Sequence, residues 1–327
     1  AGKSDSLVVP EKRTNKVGLP TIAESVEERG LTKENAKQPL LVRTQSRVAG
    51  SRGLLGVRVK ARQDKKARFN NLLNHITPEL LRASFFDLKK SAAPGIDGET
   101  WAEYAVNFEA RIDDLHSRIH RGTYRAQPSK RTWIPKLDGK LRPLGIAALE
   151  DKIAQQAVRV VLECIYEEDF RGFNYGFRPR RGCHQALDAL SVGIEKRKVN
   201  WILDADIRGF FDNINHEWLM KFLEHRIADR RLLRLLKKWL RAGVSEDGQW
   251  SPSTVGTPQG AVISPLFANV FLHYVLDLWV EAWRKRHAVG EVIIVRYADD
   301  FVLGFREEID AQRCLGALQE RFARFDL

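Results

Sequence analysis

Two apolar runs, Val292 to Tyr297 and Phe301 to Phe305, are joined only by Ala298, Asp299 and Asp300. So short a connection between β-rich segments predicts a hairpin, and this one carries two adjacent carboxylates at its turn. Adjacent carboxylates repel unless a cation neutralises them. An isolated Asp-Asp pair requires no more than a turn. A third acid changes that reading: Asp206 ends another apolar run, Trp201 to Asp206, which reads as a buried strand. An unpaired carboxylate taken out of water costs several kcal/mol. The three acids therefore predict a site for divalent magnesium held through carboxylate oxygens. Such a site suits two-metal chemistry, in which one ion lowers the pKa of an attacking hydroxyl and a second, roughly 3.5–4 Å away, stabilises the leaving group.

The rest of the chain mixes helices and hairpins. Residues 1 to about 50 are polar with no sustained apolar period, predicting an extended arm with a short helix around Thr21 to Arg29 that orders on a partner. From Lys65 to Lys89, apolar residues at three- and four-residue intervals predict two helices in a hairpin, broken at Thr77-Pro78-Glu79. A turn-rich loop, Ala93 to Gly98, precedes a helix expected near Glu99. Thr132 to Lys136 and Lys140 to Gly145 read as strands joined by an Asp138-Gly139 turn. Helices are expected from Glu150 to Phe170, Cys183 to Lys196, twice between Asn215 and Ala242, from Gln259 to Ala282, and near Glu307 to Phe325. There is no internal repeat and no alternating βαβ pattern, so the fold class is α+β.

The formal charge of +12 favours a polyanionic partner, with nucleic acid first among candidates. Residues 1 to 68 hold 16 Lys and Arg against 7 Asp and Glu, which is +9 of that total. A second basic stretch runs through Arg121, Arg125, Lys130, Arg131, Lys136, Lys140 and Arg142. Clustering of one sign has a reason when phosphates are the ligand. The three cysteines lie far apart without CxxC spacing, which argues against a disulfide framework or a zinc ribbon. No apolar run has the length of a membrane span and no secretory leader is evident, so the expectation is an intracellular, bacterial cytoplasmic protein with no membrane partner.

Several blocks, in order, give these features a family likeness. Tyr297-Ala298-Asp299-Asp300 resembles the YxDD motif of reverse transcriptases, in the form typical of group II intron proteins. Gly256-Thr-Pro-Gln-Gly260 with Ser264-Pro265-Leu266 and Asn269 resembles that group's preceding block. Asp206 to Ile214 with His216 is similar to its metal-binding strand, and Pro94 to Gly98, Ile134 to Lys136 and Arg142 to Ile146 are similar to its fingers blocks. The likeness covers about residue 60 to 327 and implies the fingers and palm of a right-hand polymerase, with a mixed, mainly antiparallel palm sheet surrounded by helices. It implies a basic arm over 1–60, fingers with the start of the palm over 61–195, and a palm over 196–327 that stops before a thumb.

The same likeness implies roles. Asp206 and Asp299 ligate two Mg2+ ions, with Asp300 supporting at the turn and Ile207 among the metal positions. Phe211 stands at the steric gate that excludes a ribose 2′-OH. Lys136 and Arg142 clasp the incoming triphosphate, and Gln259 lines the nucleotide pocket. Arg178 and Arg181, in the Phe177 to Gly182 block, and Arg58, Lys60 and Arg62, in a looser N-terminal match, are candidates for RNA contact. The implied activity is RNA-directed DNA polymerisation for a group II intron type retroelement, with intron RNA or another RNA template, a DNA primer and deoxynucleotides as partners, and a homodimer as a further possibility. The alternatives are a maturase that holds intron RNA for splicing without polymerising, and a domesticated or defence-associated reverse transcriptase.

Overall fold

The computed structural model describes residues 52–135, 139 and 141–327; the helix expected over 21–29 and the candidate Lys136 lie outside them. The first described helix, α1 (Arg52–Gln63), buries Leu54, Val57 and Ala61 on one side and leaves its basic residues outside. The two-helix hairpin expected from Lys65 to Lys89 is only half present. Its second member forms α2 (Pro78–Asp87), capped by the Thr77 hydroxyl accepting from the Leu80 N–H at 3.3 Å. The first member is instead an extended residue and a single 3-10 turn, Leu72–His75. Tertiary hydrogen bonds override helical periodicity there: the Phe69 N–H donates to the Arg226 carbonyl at 2.8 Å, its carbonyl accepts from the Ala228 N–H at 2.9 Å, and the Leu73 N–H donates to Asp229 at 3.0 Å. Asn71, in the left-handed region at φ 58°, completes the break.

Next come α3 (Trp101–Ala105), held by a capping box between Thr100 and Glu103, and α4 (Phe108–Arg121). Strands β1 (Ser129–Pro135) and β2 (Leu141–Ile146) pair antiparallel as expected. The central helix α5 (Leu149–Asp169) is buried along most of its length and receives α1 and α2. After α6 (Cys183–Lys196) comes β3 (Trp201–Ala205), then α7 (Phe210–Asn213), α8 (His216–Glu224) and α9 (Arg230–Arg241).

A hairpin of β4 (Val244–Glu246) and β5 (Gln249–Ser251) follows, which the sequence pattern had not predicted. Its turn residues Asp247 and Gly248 both have positive φ, 50° and 80°, and the Asp-Gly signal was there to be read. The long apolar helix begins at Ser264 rather than Gln259, because Pro258 and the positive φ of Gly256 and Gly260 hold residues 256–260 in a loop. It runs as α10 (Ser264–Leu272), a π turn (His273–Asp277) and α11 (Leu278–His287). Strands β6 (Val292–Tyr297) and β7 (Asp300–Phe305) and helix α12 (Glu308–Ala323) complete the chain.

Among the described residues two sheets result, within an α+β fold. One has the order β2-β1-β4-β5 and is mixed, since β1 pairs parallel with β4; the other, β3-β7-β6, is antiparallel throughout. The expectation that Trp201 to Asp206 is buried is corrected: β3 is an edge strand, with Trp201 at 42% and Ile202 at 51% exposure. One apolar cluster runs from Leu54 to Phe325 and ties the β3-β7-β6 sheet to α5. Among the described residues no helix is long and apolar enough to cross a membrane.

A pH dependence follows from α5. Burial, outweighing the nearby Arg159, pushes the Glu163 carboxyl up to about 7. Because the folded value exceeds the ordinary one of 4.5, the ionised form penalises folding; the penalty is absent below the lower value and complete above the higher. Glu163→Gln should therefore gain stability relative to wild type as pH rises through this window, by on the order of 3 kcal/mol at most. A melting-temperature difference independent of pH would contradict the assignment.

Candidate active site

Strand register brings the acids together. Ala205 pairs with Phe301 across β3 and β7, so the next residue, Asp206, stands opposite Asp300, while Tyr297 pairs with Asp300 across the β6–β7 turn. Asp204 lies two residues before Asp206 and so shares its face of the strand. It is a fourth carboxylate that the sequence pattern did not single out, although this alternation identifies it. Burial raises the Asp299 pKa, and the charges of Asp300 and Asp206 add to the rise, while its own backbone N–H and Arg142 oppose it. Asp300 is raised by burial and by Asp206 and Asp204.

These positions revise the physical argument for a cation. Asp206 and Asp300 are exposed and Asp299 is half-buried, so the burial expected of Asp206 does not supply it. The partial burial of Asp299 and Asp300, together with the repulsion among the acids, does. Among the described residues no three side chains converge into a ready-made metal cage. The donor set nonetheless fits Mg2+, which keeps several waters and takes one or two carboxylates plus substrate phosphates. Ile207 is buried and can offer only its backbone carbonyl, which already accepts from the Phe210 N–H at 3.2 Å.

The turn carrying Asp299 is strained and clamped. Ala298 has φ 61°, a region that costs an L-residue roughly 1–2 kcal/mol. Beneath it lies Gly176, where a Cβ would stand 2.8 Å from the Ala298 Cα and 2.9 Å from the Tyr297 carbonyl carbon, so a side chain has no room. From inside, the fully buried Arg296 donates to the Ala298 carbonyl at 2.8 Å and to Asn269 Oδ1 at 3.1 Å. Its remaining donors form a fork on Asp277 at 2.7 and 2.6 Å. Asn269 in turn donates to the Gly176 carbonyl at 2.8 Å, and the Tyr175 N–H donates to the Arg296 carbonyl at 2.8 Å. Asp277 closes the π turn, a helical irregularity found often at functional sites. Burial pushes the neighbouring His273 down to about 3, so it is a neutral packing group. Arg296 and Asp277 were not predicted; a charge inside each of two apolar runs was the available signal.

On the other side of the acids, the Gly145 N–H of β2 donates to the Gln259 carbonyl at 2.6 Å, docking the β1–β2 hairpin onto the 256–260 loop. Arg142 lies on that hairpin, exposed, and its charge reaches Asp299. Gln259 is half-buried. The loop is tied to Phe211, whose carbonyl accepts from the Thr257 N–H at 2.7 Å, and His216 Nε2 donates to the Gly256 carbonyl at 2.6 Å. Phe211 is partly buried and meets Phe177 edge-on at 6.3 Å. Phe177 is half-exposed at a positive φ of 57°, a strained aromatic whose contact with Phe211 the sequence order could not reveal.

The five arginine and lysine candidates for RNA contact separate. Arg178 is withdrawn from that role: its side chain is 4% exposed and its donors go to Glu167 and to the Arg171 and Asn174 carbonyls, bracing the segment that leads to Gly176. Arg181 is half-buried, donates to the Gly172 and Asn174 carbonyls and lies over Tyr175 at 5.3 Å. Arg58 and Arg62 both pair with Glu168, at 3.2 and 2.9 Å, but remain accessible, and Lys60 is exposed beside Phe69.

An antiparallel sheet presents the acids at adjacent strand ends, and the charge of Arg142 on the β1–β2 hairpin reaches Asp299 among them, which makes this the candidate active site. Residues 134–327 match the family described as reverse transcriptase (RNA-dependent DNA polymerase), and the chain belongs to that family. Protein YkfC of Escherichia coli strain K12 is 34% identical over 299 residues, covering 79% of this chain and 78% of that protein. The group II intron-encoded protein LtrA of Lactococcus lactis subsp. cremoris is 42% identical over 166 residues, covering 50% of this chain and 27% of LtrA, so the likeness spans about a quarter of that relative. A chain of a partial Cas6-RT-Cas1--Cas2 complex superimposes with a TM-score of 0.43 at 20% identity over 77% of this chain and 41% of that one.

The two charge systems respond oppositely to substitution. Asp277→Ala leaves Arg296 buried without its partner and should cost about 3–5 kcal/mol in urea denaturation. Asp299 and Asp300 have raised folded pKa values, so their charges destabilise the metal-free fold at neutral pH. Asp299→Asn and Asp300→Asn should raise the melting temperature in chelator near pH 8 and lose that advantage at acid pH. Magnesium should stabilise the wild type more than Asp299→Asn; equal stabilisation would remove these acids from the metal site.

Proposed function

We propose that this chain polymerises DNA on an RNA template by two-metal nucleotidyl transfer, and that it serves a group II intron type element whose RNA it also binds in splicing. The observation that carries the polymerase reading is the meeting of Asp206 and Asp300 across β3 and β7, with Asp299 at the clamped turn beside them. Asp206 and Asp299, with Asp300 and the Ile207 carbonyl close by, would hold magnesium. When bound, the ions supply activation of the primer hydroxyl and neutralise the leaving pyrophosphate. The chain's own groups bind and orient. Arg142 supplies a guanidinium fork for triphosphate oxygens on the hairpin that faces Asp299. Lys136 is assigned the same task by family likeness. Phe211, held by Thr257 and flanked by Phe177, presents its ring to the sugar, and Gln259 lines the same pocket. The intron role draws its support from the likeness to LtrA over half the chain and from the basic arm.

Primer extension on an RNA template with deoxynucleotides and magnesium tests the first part. Asp299→Asn should abolish extension while RNA affinity persists; extension at the wild-type rate would refute the metal assignment. Phe211→Ala should admit ribonucleotides with a smaller loss for deoxynucleotides, and unchanged discrimination would return Phe211 to a packing role. Splicing of a group II intron transcript, with and without the chain, tests the second part.

A further inference from the structure

We propose that the exposed face of α9 docks the phosphate backbone of double-stranded RNA outside the active site. This rests on the reading of the protein as one that handles RNA, and adds a second contact surface to it. Every exposed position of the helix is basic: Arg230, Arg234, Lys237 and Arg241. Steps of four, three and four residues put them in one row down the helix, about 16 Å long at about 1.5 Å per residue.

None of the four has an ion-pair partner among the described residues. The helix itself contains no acid. Asp229, at its start, is buried and committed to capping the Arg231 and Leu232 N–H groups and to the Leu73 N–H. The other two cations of the helix are occupied, Arg231 with Asn74 at 2.9 Å and Lys238 with the Gly122 and Tyr124 carbonyls at 2.8 and 2.5 Å. Partnered and unpartnered cations are therefore sorted by face.

The row works against the helix that carries it. Like charges three and four residues apart destabilise a helix, and Arg230 in the first turn opposes the macrodipole. A solvated helix face would ordinarily intersperse acids. An array of phosphates removes the repulsion, which gives the pattern a physical rationale. Lys238 and the Ser129 N–H to Gly243 carbonyl bond, at 3.1 Å, hold the adjoining segment against the C-terminal end of the helix. That segment adds exposed Arg121 and Arg125.

The chemistry favours a duplex over a single strand. Unpaired bases are held by stacking on aromatic rings, and the one aromatic of α9, Trp239, is buried. The exposed Trp250 stands past the last cation, donating to the Ala242 carbonyl at 3.1 Å, whereas the outer face of α9 itself carries cations alone, which suits a backbone recognised by shape and phosphate, as A-form RNA is.

The test compares wild type with the quadruple variant Arg230→Gln, Arg234→Gln, Lys237→Gln, Arg241→Gln by fluorescence anisotropy on an RNA hairpin, a DNA hairpin of the same stem and a single strand, across a salt series. Removing four phosphate contacts should lower the slope of log affinity against log salt by about 3 to 4 for the RNA hairpin. The single strand should be nearly unaffected. An unchanged hairpin slope overturns the proposal, as does an equal loss for DNA hairpin or single strand. Circular dichroism checks that the helix persists. Extension of a short primer on an unstructured template separates this idea from the polymerase reading: a wild type that never extends sinks that reading while leaving the hairpin result standing.

Discussion

The fork between Arg296 and Asp277 is the interaction on which the active-site geometry depends. Both groups are completely buried, so each would be intolerable without the other. Their pairing leaves Arg296 with donors to spare, and these reach the Ala298 carbonyl and Asn269. The left-handed Ala298 is therefore held from within the core, and Asp299 inherits its position from a charge pair that never meets solvent. Gly176 holds the same turn from the other side, since any side chain there would push it outward. The π turn that carries Asp277 belongs to the same construction, being the irregularity that ends with this acid facing the core.

Around this clamp the protein keeps two kinds of charge. Those that set geometry are buried and paired, as with Arg296 and Asp277, Arg178 and Glu167, and Arg226 and Asp169. Those proposed to meet a ligand have no direct ion pair among the described residues: the acids at the strand ends, Arg142 on the hairpin, and the outer row of α9. Compensated pairs give fixed shape, whereas uncompensated groups are less stable in the free protein and gain on meeting an ion or a phosphate. The raised pKa values of Asp299 and Asp300 express that cost directly.

Much of this was legible because local chemistry and tertiary outcome agree. The Asp-Asp hairpin, the α6 boundaries and the β1–β2 pairing follow from alternation, turn residues and caps. What escaped depended on partners remote in sequence. Leu72 has helical spacing, but residues 226–229 capture the preceding backbone and leave only a 3-10 turn. Trp201 to Ala205 reads as buried by composition, yet its depth is set by its place at the sheet edge. Arg178 looked like a phosphate ligand in a row of arginines, and only the fold reveals Glu167 beside it.

The active site is therefore divided between features a motif can encode and features it cannot. Tyr297 to Asp300 names the acids, but their separation is set by the β3–β7 register, and their orientation by a guanidinium immediately upstream whose counterion is 19 residues away in sequence. A chain could retain all three acids and lose the turn by losing Asp277, because an unpaired Arg296 would have to leave the core and release the Ala298 carbonyl. The geometry of the candidate site is thus a property of a buried pair and of three more accessible acids together, and the pair carries no trace in the acid motif itself.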